Sequence, residues 1–250
     1  MHENGECIMI IGENSPLRRL PLLNRKQTLF LDGIRYSIEM ADLSYCRLRE
    51  TLYNMSINCC NSLPNNHINT VSAVLDAWSI IDSVDRLRGL LYLAKFVKKD
   101  SLPIDDPLKQ YMENVRLLRN SIQHIAQRID MMISKNLTIL GSLSWFTCTD
   151  STEMRGVCCT LVAGTVIHNS EHPFVNPCGK NIELPVDLIT LSASGYSVCF
   201  SELMKYIRIM VKDFEDQLSQ KTSELPKAGA DFLVCVHIRP SEEQKDKQQI

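Results

Sequence analysis

"LFLDGIRYSIEMADLSYCRLRETLYNM", residues 29–55, places apolar side chains at Leu31, Ile34, Ile38, Ala41, Tyr45, Leu48, Leu52 and Met55, in steps of three and four. At about 3.6 residues per turn such a row falls on one side of an α-helix, so the stretch predicts a long helix with one buried stripe. A second stretch, "VSAVLDAWSIIDSVDRLRGLLYLAKFV" (residues 71–97), repeats the pattern through Ala77, Ile80, Val84, Leu87, Leu91 and Ala94. Val74, Trp78 and Ile81 widen its stripe, which predicts a central helix covered on two sides. A third, "NVRLLRNSIQHIAQRID" (residues 114–130), aligns Val115, Leu118, Ile122, Ile125 and Ile129 and continues to Met132. Its helix is expected to begin at Asp106 as N-cap, with Pro107 in the first turn. "NSLPNNHIN" and "KKDSLPIDD" separate the three as loops, by their Pro, Asn and Asp content. Long helices joined by short loops pack antiparallel, so residues 27–136 are read as a helical bundle, preceded by an N-terminal segment, 1–26. Leu31, Ile38, Leu48, Trp78, Ile81, Val84, Leu118, Ile122 and Ile129 are its expected core.

Past residue 136 the character changes. "LTILGSLSWFTCTD", "RGVCCTLVAGTVIH" and "IELPVDLITLSA" are rich in β-branched and aromatic residues and punctuated by Gly and Pro, which predicts strands. "SVCFSELMKYIRIMVKDFEDQL" returns to a helical period, giving an expected helix over about residues 197–219, and "DFLVCVHI" (231–238) reads as a last strand. The fold class is therefore mainly α: an antiparallel bundle of long helices, then a smaller α+β portion over 137–240. The tail 241–250 is charged.

Composition narrows the function classes. The chain has 250 residues, 44% hydrophobic and 22% charged, in the range of a soluble globular protein. A net charge of −2 supplies no chain-wide basic field, so any contact with nucleic acid must be local. No apolar run approaches the roughly 20 residues of a membrane-spanning helix, and the N-terminal stretch has only a short apolar run, unlike a secretion signal. The ten cysteines include no C-x-x-C, and the adjacent pairs Cys59-Cys60 and Cys158-Cys159 suit neither a shared zinc nor a bridge to each other. Free thiols and a cytoplasmic setting are the expectation. No metal and no cofactor is expected. His168 and His172 have the spacing of a helical metal pair but sit among Asn169, Ser170 and Pro173, which reads as a turn.

The signatures of phosphate-binding loops, dinucleotide folds, zinc proteases and serine hydrolases are absent. The third helix carries the remaining chemistry. At about 100° per residue, with Ile122 at zero, Asn120 falls near 160° and His124 near 200°, together and away from the apolar stripe. Arg119 falls near 60°, at the border of the stripe, with a side chain long enough to bend toward the histidine. Histidine exchanges a proton near neutrality, and arginine offers a charged planar fork for phosphate oxygens. Arg116 and Arg128 flank the group as further contacts to a substrate. Asp82 and Asp85, beside Arg86 and Arg88 on the second helix, read first as a solvated ionic face and second as supporting carboxylates.

"RNSIQH", residues 119–124, has the form R-N-x-x-x-H late in a helical bundle, and it resembles the motif of the HEPN family (higher eukaryotes and prokaryotes nucleotide-binding domains). The resemblance implies a metal-independent ribonuclease, a toxin or antiviral defence effector, working as a homodimer whose two 119–124 helices form one cleft. It implies Arg119 on the scissile phosphate, His124 as proton acceptor and Asn120 orienting the pair or the RNA, with an antitoxin or other regulatory protein as a further partner. Family members controlled by nucleotidylation carry a tyrosine two residues after the histidine; here that position is Ala126. Two other readings remain. One is a non-catalytic HEPN-like dimer that binds a nucleotide or RNA or acts as a scaffold. The other is a helical interaction protein whose polar ridge is merely solvated.

Overall fold

A computed structural model describes residues 9–20, 24–64, 66–93, 107–135, 137–152, 155–165, 174–221, 231 and 233–235. Five helices and four strands occur among them: α1 (Arg25–Cys60), α2 (His67–Leu93), α3 (Pro107–Gln123), α4 (Ile125–Ser134), β1 (Ser142–Asp150), β2 (Arg155–Val162), β3 (Val186–Ala193), β4 (Tyr196–Cys199) and α5 (Phe200–Lys221).

Helix α1 starts in a capping box: Asn24 accepts from the Gln27 amide at 3.0 Å, and the Gln27 side chain accepts from the Asn24 amide at 3.3 Å. Its apolar row is buried at all eight positions, from Leu31 to Met55. Gly33 lies against Leu90, Ser44 hydrogen-bonds Ser79, and Arg47 pairs with Asp76, so α1 and α2 run antiparallel along most of their length. On α2, residues 80, 81, 83, 84, 85 and 87 are all buried, covering roughly 200° of its circumference at about 100° per residue. That helix is central.

The strands form one antiparallel sheet in the order β2-β1-β3-β4. Leu143, Trp145, Ile189, Leu191 and Val198 join the same hydrophobic core as Leu31, Ile80, Leu118, Leu203 and Ile207. The core therefore runs without a break from the helices of the first half to the sheet and α5. Polar stitches cross it as well: Trp145 Nε1 donates to Ser56 Oγ at 2.9 Å, and the Tyr45 hydroxyl hydrogen-bonds Ser201 at 3.1 Å. Phe146, Cys148 and Leu188 form a smaller cluster apart from the main one.

Several sequence expectations need correction. The third helix is not continuous: α3 ends at Gln123, α4 begins at Ile125, and His124 between them has φ −109° and ψ 29°. The apolar row keeps to the core only through Leu118; Ile122 is partly exposed, and Ile129 and Ile133 are 45% and 59% exposed. On α4 only Met132 of that row is buried, at 5% exposure, and it lies outside the main core cluster, so the helical period there is not a continuous core stripe. Ser197–Cys199 belong to β4 rather than to a helix, because Ser194 and Gly195, both at positive φ, make the two-residue hairpin that pairs Ala193 with Tyr196. Asp231 and residues 233–235 are not a strand, and Leu233 and Val234 are 89% and 69% exposed. Cys46 is disulfide-bonded, so the thiols are not all free; Cys59, Cys60, Cys148, Cys158, Cys159, Cys178, Cys199 and Cys235 are. Asp106, His168 and His172 lie outside the described residues.

Candidate functional site at the α3–α4 junction

Helix α3 lies against α2, and its Val115 and Leu118 are both fully buried. That packing sets Arg119, the next residue, over the outer edge of α2. Its Nε donates to Asp82 at 3.0 Å and its Nη1 to Asp85 at 2.9 Å. The carboxylates occupy i and i+3 on α2, one helical turn, which matches the reach of one guanidinium. Asp82 is well exposed and Asp85 nearly buried, and Asp85 also accepts from Arg88 Nε at 2.9 Å. The hydrogen bond to Asp82, with the charges of both carboxylates, holds the Arg119 pKa above its ordinary value against the opposing effect of burial. The structure thus joins three residues that the sequence offered separately: Arg119 and the two supporting aspartates.

The others are not drawn into that group. Arg116 pairs with Glu113 one turn back on α3, its Nε 2.9 Å from a carboxylate oxygen. This hydrogen bond raises the Arg116 pKa and lowers that of Glu113. Glu113 is the contributor that the sequence reading missed, although its i, i+3 spacing from Arg116 was visible. Asn120 is partly exposed and His124 exposed, and neither side chain has a hydrogen-bond partner among the described residues. No hydrogen bond links His124 to Arg119. The histidine instead stands at the helix break, where its carbonyl accepts from the Gln127 amide at 3.1 Å. The Arg128 side chain lies outside what is described.

The electrostatics are nearly balanced. Among the described side chains, Arg86, Arg88, Arg116 and Arg119 face Asp82, Asp85 and Glu113, so four positive charges meet three negative ones and a single excess charge remains. Arg86 is the one without a carboxylate among the described residues; its Nη1 lies 3.6 Å from Met40 Sδ. A guanidinium carries five N–H donors, and the two contacts at Arg119 leave Nη2 unengaged. The arrangement can hold an oxyanion against a guanidinium already fixed from behind, with an exposed imidazole five residues further along the chain.

No family model, curated protein or solved structure matches this chain. No helix among the described residues is long and apolar enough to cross a membrane. Nor are any three His, Cys, Asp or Glu side chains among them placed to hold a metal ion.

Proposed function

We propose that the chain is a HEPN-like protein that cuts RNA without a metal, with the α3–α4 junction as its site. The observation that carries this reading is the two-point fixation of Arg119 by Asp82 and Asp85, beside a histidine left exposed at the end of the same helix. A guanidinium oriented before the substrate arrives spends less conformational entropy on each contact it makes, and electrostatic stabilisation of this kind depends on such preorganisation.

The chemistry follows from the substrate. The 2′-hydroxyl of RNA attacks the adjacent phosphorus, His124 accepts its proton, and the free edge of Arg119 takes up charge on the phosphoryl oxygens. The 5′-oxygen of the next nucleotide leaves, and the products are a 2′,3′-cyclic phosphate and a 5′-hydroxyl end. One histidine per protomer serves as base only, so a second copy of the junction supplies the acid, and the active form is a homodimer joined through the 119–124 segments. Asn120 orients the RNA. Arg116 and Arg128 are the flanking contacts, and an antitoxin or similar protein that covers the junction would silence it.

A second reading has its own support. The paired arginines leave one excess charge at the site, which is little for a protein that must hold a polyanion. On that ground the same junction serves a non-catalytic dimer that binds a nucleotide or acts as a scaffold. The test is incubation of single-stranded RNA, and of DNA of the same sequence, in excess chelator. The ribonuclease reading requires RNA fragments with cyclic phosphate ends and intact DNA, which lacks the nucleophile. Intact RNA with a dimeric protein selects the scaffold.

A further inference from the structure

A second arginine is set far more deeply than Arg119. Arg35 falls within the apolar row of α1, four residues after Leu31 and three before Ile38, and its side chain is only 2% exposed. Its Nη2 and Nη1 donate to the two carboxylate oxygens of Asp231 at 2.9 and 3.1 Å, a bidentate fork. The Tyr36 hydroxyl donates to the same carboxylate, and the guanidinium lies 4.2 Å from the centre of the Tyr36 ring. Glu39 accepts a longer bond from Nη1, at 3.3 Å, and is itself paired with Arg18 at 2.8 Å. Arg35 Nε is buried with no partner.

Asp231 is only partly enclosed here. Its side chain is 49% exposed, and the neighbouring Leu233 and Val234 stand in water. The Arg35 fork holds the Asp231 carboxyl at about 2, below the ordinary carboxylate range. With Asp231 in place, Arg18 and Arg35 face Glu39, Asp32 and Asp231, an excess of one negative charge. Without it the balance is even, and the two Nη donors lose their only bidentate acceptor. The vacated fork presents two parallel donors to any oxyanion that reaches it.

We propose that Arg35 and Tyr36 form an oxyanion-binding site which Asp231 occupies as an internal ligand, and that a phosphate group takes the place of the carboxylate. The fork geometry suits a phosphate as well as it suits a carboxylate, and the Tyr36 hydroxyl adds a third donor. The site adjoins the row that leads to Arg119: Tyr36 is one turn from Met40, Met40 touches Arg86, and Arg86 is one turn from Asp82. Resting on the ribonuclease reading for the identity of the ligand, the site is a remote phosphate contact for the same RNA, closed by the protein's own aspartate.

The experiment uses the full chain, wild type and Asp231→Ala, titrated calorimetrically with inorganic phosphate and with a short RNA bearing a 5′-phosphate. Removing an internal competitor that leaves the site open roughly a tenth of the time tightens apparent affinity about tenfold. That gain is expected for at least one of the two probes, and which one responds tells free phosphate from polynucleotide. Adding Tyr36→Phe, or Arg35→Lys where it folds, to Asp231→Ala should reverse it, because both spoil the three-donor geometry. Equal affinities in wild type and Asp231→Ala for both probes overturn the proposal, as does a gain that survives Tyr36→Phe. RNA cleavage is read separately, so the phosphate site and the ribonuclease reading fail or stand independently.

Discussion

Arg119 on α3 and Asp85 on α2 are joined by a 2.9 Å ion pair in which the carboxylate is nearly buried and the guanidinium about one-third exposed. The pair ties the helix that ends at His124 to the central helix of the fold. Because the arginine is partly solvated, the pair is worth less than a fully buried one. A double-mutant cycle with Arg119→Ala and Asp85→Ala, read from urea unfolding, is expected to give a coupling of about 1 kcal/mol. Asp85→Ala alone should cost roughly 1–2 kcal/mol, since it also strands Arg88. A coupling indistinguishable from zero would mean that Asp85 does not position Arg119, leaving Asp82 as its only tie to α2 among the described residues.

The hydroxyl of Tyr45, buried between α1 and α5, predicts a pH dependence. Burial pushes its pKa up to about 12, against the smaller opposing effect of the hydrogen bond to Ser201. A group whose pKa is raised on folding contributes stability that is complete below its unfolded pKa of about 10 and is lost as pH rises through the folded value. Stability should therefore fall between about pH 10 and 12. Tyr45→Phe should flatten that fall, as followed by circular dichroism and by phenolate absorbance.

The long helices were plain in the sequence because each apolar row has a partner to cover it. Leu31 to Met55 and Ala77 to Leu87 are buried as their spacing required. The third row continued just as regularly through Ile125, Ile129 and Met132, but periodicity records only what a helix could bury. Met132 is buried but Ile129 is 45% exposed, and no Gly or Pro marks the break at His124. Angles computed on an unbroken helix therefore placed His124 where the chain does not. The Ser-Gly turn before Tyr196 is a hairpin signal, masked by the apolar spacing of α5, which extends backward into β4. At the site, residue types singled out Arg119, Asp82 and Asp85, yet their union depends on the packing of α3 against α2, which no local pattern encodes. Arg35 had a signal too: a charge set inside an apolar row needs an acceptor, and Asp231 lies 196 residues away.

Cys46 gives a simple chemical check. Denatured, unreduced protein should titrate one pair of thiols fewer than the reduced protein, and peptide mapping should find the missing thiol on the Cys46 peptide. Reduction should lower stability by about 2–4 kcal/mol if the bond closes a loop of ordinary length. Full reactivity of every cysteine before reduction would contradict the bonded state.

The most direct test of the account is the rate at which wild type, His124→Ala and Arg119→Ala cut single-stranded RNA in excess chelator. The account predicts cleavage by wild type, a loss of about 10²–10⁴-fold in His124→Ala, and a loss of about 10²–10³-fold in Arg119→Ala. His124 and Arg119 are both outside the hydrophobic core, so the variants should keep the wild-type circular dichroism spectrum. Cleavage that persists undiminished in His124→Ala, or that appears only when magnesium is added, would contradict it.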